Sequence, residues 1–179
     1  MSDKTDKIGA TVAPRIIFLD VDGVLNSTQF FQQQRDTGAM KSLADHIDPA
    51  AVARLNTIVQ RTGAKVVESS TRRMGSLFEL LVERLKELGF SGEVIGKTGD
   101  RKCDECLRGN EILAWVKSFV QDYYNFNQYV IIDDDTDMLY CQRDNFVKTS
   151  STTGGLTDEH VEQAVAILTR GVSNIAEGF

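Results

Sequence analysis

The chain has 179 residues, 41% of them hydrophobic and 26% charged, with 20 Lys and Arg against 26 Asp and Glu for a net charge of −6. That length suits one domain with a full core, and an ordinary composition with 14 Gly and 2 Pro excludes a fibrous chain or whole-chain disorder. Apolar runs such as Ile16-Ile17-Phe18-Leu19 fall far short of the roughly 18 residues a membrane span needs, and an acidic chain offers nucleic acid no global surface.

Met1 to Ala13 is polar and aperiodic and reads as a disordered tail, leaving residues 14–179 as a single domain. Asp20 and Asp22 interrupt the first apolar stretch, so it lacks the order of a signal peptide and a cytoplasmic location is expected. Arg15 to Leu19 is an apolar strand between Pro14 and Gly23. Ser27 to His46 is polar and Gln-rich, a loop or lid with room for one helix. Asp48-Pro49 starts a helix, with Asp at the N-cap and Pro at the first helical position. Its stripe is Val52, Leu55, Ile58 and Val59, and Gly63 stops it.

Ala64 to Val67 is a second strand. Ser76 and Glu79 have capping-box spacing and open a helix carrying Leu77, Leu80, Leu81, Leu85 and Leu88, closed by Gly89. Glu93 to Ile95 is a third strand. Asn110 is the expected cap of a helix with Ile112, Leu113, Val116 and Val120 on its stripe. Tyr129 to Ile132 and Phe146-Val147 complete the strands. Thr157 caps the last helix, with Asp158 and Glu159 in its first turn, running to about Arg170 before Gly171. The three cysteines make no zinc site on spacing: Cys103-x-x-Cys106 has no second pair, and Cys141 and His46 stand apart. Ordinary thiols are the expectation.

Strands alternating with helices predict an α/β domain whose mainly parallel sheet is covered on both faces. Chemistry in such sheets lies beyond the C-terminal strand ends. There the first strand delivers Asp20-Val21-Asp22-Gly23, the second Ser69-Ser70-Thr71-Arg72-Arg73, and the fourth Asp133-Asp134-Asp135-Thr136-Asp137. Crowded carboxylates raise one another's pKa unless a cation intervenes. Oxygen donors alone suit Mg2+ rather than zinc. A calcium loop from Asp133, Asp135 and Asp137 fails at its sixth position, where Met138 replaces glycine.

The run Phe18 to Asn26 resembles the first motif of the haloacid dehalogenase (HAD) superfamily of phosphohydrolases, an apolar strand followed by Asp-x-Asp-Gly. Ser69 or Ser70 matches the second motif. Arg108 and Lys97 both qualify for the third, a cation before the fourth strand. Asp133, Asp134 and Asp137 match the fourth. The resemblance runs from Arg15 to Arg170. Ser-Ser-x-x-Arg at residues 69–73, the stretch from Arg108 to Trp115 and the acids from Asp133 to Asp137 are similar to the phosphatase halves of nucleic-acid-repair enzymes.

The resemblance implies a Rossmann-like three-layer sandwich with strand order 3-2-1-4-5 and a minimal cap. It implies Asp20 as nucleophile, attacking phosphorus to form a phosphoaspartate, and Asp22 as general acid and base. Mg2+ is then held by Asp20, Asp133 and the Asp22 backbone carbonyl, with Asp134 or Asp137 orienting its waters. Ser69, Ser70, Arg73, Lys97 and Arg108 are the candidate phosphate ligands. Only 37 residues (27 to 63) separate Asn26 from the second strand, too few for a large cap. An open site and the basic residues Lys97, Arg101, Lys102 and Arg108 favour a phosphorylated polynucleotide end. The alternatives are a small-molecule or phosphoprotein phosphatase, a phosphotransferase on the same fold, and an inactive phosphate- or metal-binding module. A phosphorylatable receiver domain needs its acceptor Asp where Gly96-Lys97 stands. Oligomeric state is left open.

Overall fold

Five short strands, β1 (Ile16–Leu19), β2 (Lys65–Glu68), β3 (Val94–Lys97), β4 (Tyr129–Asp133) and β5 (Phe146–Lys148), form one sheet in the order β3-β2-β1-β4-β5. Every neighbouring pair is parallel. The computed structural model describes residues 14–38, 46–71, 76–99, 107–123 and 125–170. The expected tail 1–13, Arg72, Arg73, Arg101, Lys102, Cys103, Cys106 and the Gly171 stop lie outside them. The register puts Leu19 opposite both Glu68 and Ile132, so β1 and β2 end level and β4 runs one residue further.

The helices are α1 (Thr28–Thr37), α2 (Pro49–Thr62), α3 (Leu77–Glu87), α4 (Arg108–Phe119) and α5 (Asp158–Leu168). In β1, Ile17 and Leu19 join the core shared with α2, α3 and α5, whereas Ile16 and Phe18 join the core under α4. A strand with both faces covered carries apolar residues at every position, which is why β1 shows no polar alternation. Each fully buried Ile, Leu or Phe contributes on the order of 1.5–3 kcal/mol. Trp115 stands edge-on to Phe18 and stacked on Phe119.

Several helix ends follow their sequence signals. Asp48 accepts from Ala50 N–H at 2.8 Å with Pro49 beside it, and Gly63 takes the left-handed C-cap of α2. Thr157 caps α5. The Ser27–His46 interval holds a true helix, α1, capped by Ser27. Elsewhere the structure corrects the expectation. Ser76 makes no cap bond, and its backbone is helical rather than extended as at a capping residue. Leu77 and Leu80 are 38% and 55% exposed, so only Leu81 and Leu85 of that helix are buried. Asn110 lies inside α4, whose first N–H is satisfied by a distant carboxylate, Asp137. Among the described residues no helix is long and apolar enough to cross a membrane.

Candidate active site

Hydrogen bonding between strands continues one residue past each strand end. Thr98 N–H donates to Glu68 O at 2.9 Å, Ser69 N–H to Leu19 O at 2.9 Å, Asp20 N–H to Ile132 O at 3.0 Å and Thr149 N–H to Asp133 O at 2.9 Å. Ser69, Asp20 and Asp133 therefore stand side by side, at the strand spacing of about 4.8 Å. After Asp20 the chain folds into a tight turn. Leu25 N–H donates to Val21 O at 2.8 Å, and Val21, Val24 and Leu25 are fully buried. Gly23 takes φ 80°, a conformation that glycine adopts without a Cβ penalty. Thr149 Oγ1 donates to Gly23 O at 2.9 Å, tying the turn to the end of β5.

Three carboxylates converge beside this turn. Oxygens of Asp20, Asp133 and Asp134 lie within 4.8 Å of one another. Asp20 is 6% exposed and Asp133 1%. Burial, reinforced by Asp133 and only partly opposed by Arg108, pushes the Asp20 carboxyl up to about 8. Burial likewise raises Asp133 to about 6, and Asp134 is raised for the same first cause. Asp133 Oδ1 accepts from Asp135 N–H at 2.9 Å, whereas its buried Oδ2 has no hydrogen-bond partner among the described residues. An orphaned carboxylate oxygen amid two further acids, with oxygen donors only, fits a hard divalent cation such as Mg2+. Asp20, Asp133 and Asp134 are the residues that would hold it.

Arg108 supplies the positive charge. Its Nη2 lies 3.7 Å from Asp20 Oδ1, its Nε 3.5 Å from Asp133 Oδ2 and its Nη1 3.6 Å from Glu111 Oε2. Nη1 also donates to the Ser69 carbonyl. Of the two candidate third-motif cations, the structure brings Arg108 to the acids and sets Lys97 Nζ over the Phe78 ring. Ser69 is buried next to Asp20 in the row. Ser70 turns back, donating its N–H at 3.1 Å and its hydroxyl to Glu68 Oε1.

Asp137, expected to orient the metal's waters, falls outside the carboxylate group found among the described residues, and so does the Asp22 side chain, whose expected ligand atom is its backbone carbonyl. Asp137 instead caps α4: its Oδ2 accepts Arg108 N–H at 2.8 Å, and its carbonyl accepts Gly109 N–H at 3.3 Å. Orphan N–H groups at a helix N-terminus attract an anion in this way. Asp22 is exposed on the turn, where Asn26 Nδ2 donates to its Oδ1 at 2.8 Å. Sequence reasoning missed the buried acids Glu68 and Glu111. The available signal was a carboxylate ending an apolar strand in one case, and an acid three residues after Arg108 on a helix in the other.

The family model for the HAD domain in Swiss Army Knife RNA repair proteins matches residues 16–161. The chain belongs to that family. It is a HAD domain of the phosphohydrolase class, related to nucleic-acid-repair enzymes. No match is found among curated proteins or among solved structures. Strand order β3-β2-β1-β4-β5 with helices on both faces agrees with the HAD fold, and the matched span runs from β1 into α5. Arg73 lies outside the described residues; the site residues that the structure brings together come from the ends of β1, β2 and β4 and the start of α4.

Proposed function

We propose that the chain is a Mg2+-dependent phosphatase that works through a phosphoaspartate on Asp20. The observation that carries this reading is the convergence of buried Asp20 and Asp133 with half-buried Asp134, and Arg108 set against them. Asp20 attacks phosphorus in line, and the bond to the leaving oxygen breaks as the new O–P bond forms. Asp22, exposed on the same turn, protonates that oxygen and then takes a proton from the water that cleaves the acyl phosphate. Arg108 and Ser69 bind the other phosphoryl oxygens, where charge accumulates in a loose transition state. Mg2+, when bound, offsets the repulsion between an anionic nucleophile and an anionic phosphate. The Asp22 carbonyl remains a proposed ligand for it.

The substrate we propose is a phosphorylated polynucleotide end. The family's link to RNA repair supports this, as does the short interval between β1 and β2. Asp20→Asn tests the chemistry: the side chain is nearly isosteric but forms no acyl phosphate. Turnover should fall by about 10^4-fold or more with the fold retained. An Asn variant keeping more than about a tenth of wild-type activity removes the covalent mechanism.

A further inference from the structure

Asn26 follows the Asp-x-Asp-Gly turn and is 2% exposed. Its carboxamide makes three hydrogen bonds. Oδ1 accepts from Gly23 N–H at 2.9 Å, and Nδ2 donates to Asp22 Oδ1 at 2.8 Å and to His46 O at 3.0 Å. The partners fix the amide's orientation: a backbone N–H must face the oxygen, and a carboxylate and a carbonyl must face the NH2 group. His46 in turn packs edge-on against Phe31 of α1, and the residue following Ile47, Asp48, donates its N–H to Leu25 O at 2.8 Å. The amide is thus anchored on both sides before it reaches Asp22.

No other side chain does this job at this length. Aspartate keeps the acceptor for Gly23 but sets a like charge against Asp22 and a lone pair against His46 O. Alanine and leucine strand a buried N–H, which costs about 1–3 kcal/mol. Glutamine adds a methylene to a side chain that is 2% exposed and already held at three points. Asp22 itself is exposed, and an exposed Asp on a turn samples several rotamers unless something holds it.

We infer that Asn26 is a positioning residue for Asp22, holding its carboxylate in the one rotamer from which it serves as acid and base; this rests on the phosphatase reading above. In the first step the Asp20 oxygen bonds to phosphorus, the bond from phosphorus to the leaving oxygen breaks, and that oxygen takes the Asp22 proton. In the second, water oxygen bonds to phosphorus, its proton returns to Asp22, and Asp20 and inorganic phosphate are released. An N–H donating to Asp22 Oδ1 keeps the proton off that oxygen, which assigns the transferred proton to Oδ2. General-acid transfer needs hydrogen-bond reach of about 2.6–3.2 Å, so a carboxylate free to rotate loses most of its effect.

The test compares leaving groups. p-Nitrophenolate departs with little protonation, whereas the ribose oxygen of a nucleoside monophosphate needs the acid. kcat/KM reports the step through Asp20 phosphorylation for both. Asn26→Asp is nearly isosteric and keeps the acceptor for Gly23 N–H; Asn26→Ala repeats the test without an added charge. In either variant, kcat/KM for the nucleoside monophosphate should fall at least about tenfold more than for p-nitrophenyl phosphate. A merely structural role lowers both substrates alike, and that result, or no loss on either, overturns the inference. A wild-type chain that hydrolyses neither these substrates nor a phosphorylated oligonucleotide removes the phosphatase reading and this inference with it; an active wild type whose variants lose both alike overturns this inference alone.

Discussion

A Cβ placed on Gly23 would stand 2.0 Å from Asp134 Oδ2. The turn after β1 and the acid after β4 are therefore in contact across the sheet, and only the missing side chain lets them meet. Gly23→Ala carries two costs, the clash and a φ of 80° that L residues rarely adopt. The expected outcome is loss of Asp134 from the carboxylate group. Mg2+ affinity should drop by about tenfold or more by calorimetry, with roughly 1–3 kcal/mol lost in denaturant unfolding. Unchanged affinity would separate Asp134 from the cation.

The metal-free chain should lose stability as pH rises. Asp20 titrates near 8 and Asp133 near 6 when folded, against 3.8 for the ordinary group. Between those values the folded state holds protons that the unfolded chain has released, so the slope of stability with pH is negative. The fall begins near the ordinary value and ends as pH passes the Asp20 value. Chelator-treated protein should melt at a lower temperature at pH 8 than at pH 5.5, and Mg2+ should reverse the difference by replacing the protons. A melting temperature that rises over this range contradicts buried carboxylates that Arg108 compensates only in part.

The sequence made the strands and most helix ends legible because their signals are local. Ile16 to Leu19 is apolar at every position, and Asp48-Pro49 and Thr157 sit within three residues of the groups they cap. Acids at two strand ends made the carboxylate site legible too, once the sheet was known to be parallel. What stayed hidden depends on partners far apart in the chain. Asp137 caps a helix 29 residues upstream, and Arg108 reaches a carbonyl 39 residues away. Asn110 has the right residue type for a cap, yet the tertiary carboxylate sets the start of α4 three residues earlier, with Leu107 at the N-cap. The choice between Lys97 and Arg108 needed the third dimension, since both precede β4 at workable distances. Glu68 shows the same limit: one residue beyond the expected strand, it is 1% exposed and holds Ser70 back from the row.

Arg108 competes with a cation for the same carboxylates. Its guanidinium lies 3.7 Å from Asp20 Oδ1 and 3.5 Å from Asp133 Oδ2. Arg108→Ala should therefore leave Mg2+ affinity unchanged or tighter while weakening orthovanadate or phosphate binding. A charge-assisted hydrogen bond contributes about 1.5–3 kcal/mol, so the anion's affinity should fall by roughly ten- to a hundredfold. Lysine should restore little, because an ammonium cannot span two acids and the Ser69 carbonyl as the planar fork does. Weaker Mg2+ binding with anion binding intact would make Arg108 a strut between α4 and β2 rather than a phosphate ligand.

The polynucleotide substrate makes a prediction that depends on salt. The net charge of −6 opposes a phosphate backbone, so any attraction has to come from charge close to the site, acting within a Debye length of roughly 8–10 Å. Each phosphate contact beyond the scissile one releases counterions and makes binding fall with the logarithm of salt. A phosphorylated oligonucleotide should then have a higher kcat/KM than the matching mononucleotide at low salt, through a lower KM, and the advantage should shrink as salt rises. The mononucleotide's own kcat/KM should change much less, because its contacts are confined to the buried site. Charge reversal at Arg101 and Lys102 should erase the oligonucleotide advantage and leave p-nitrophenyl phosphate hydrolysis intact. Equal kcat/KM for the two substrates at low salt would sink the polynucleotide assignment and leave Asp20 and its neighbours serving a small phosphate ester.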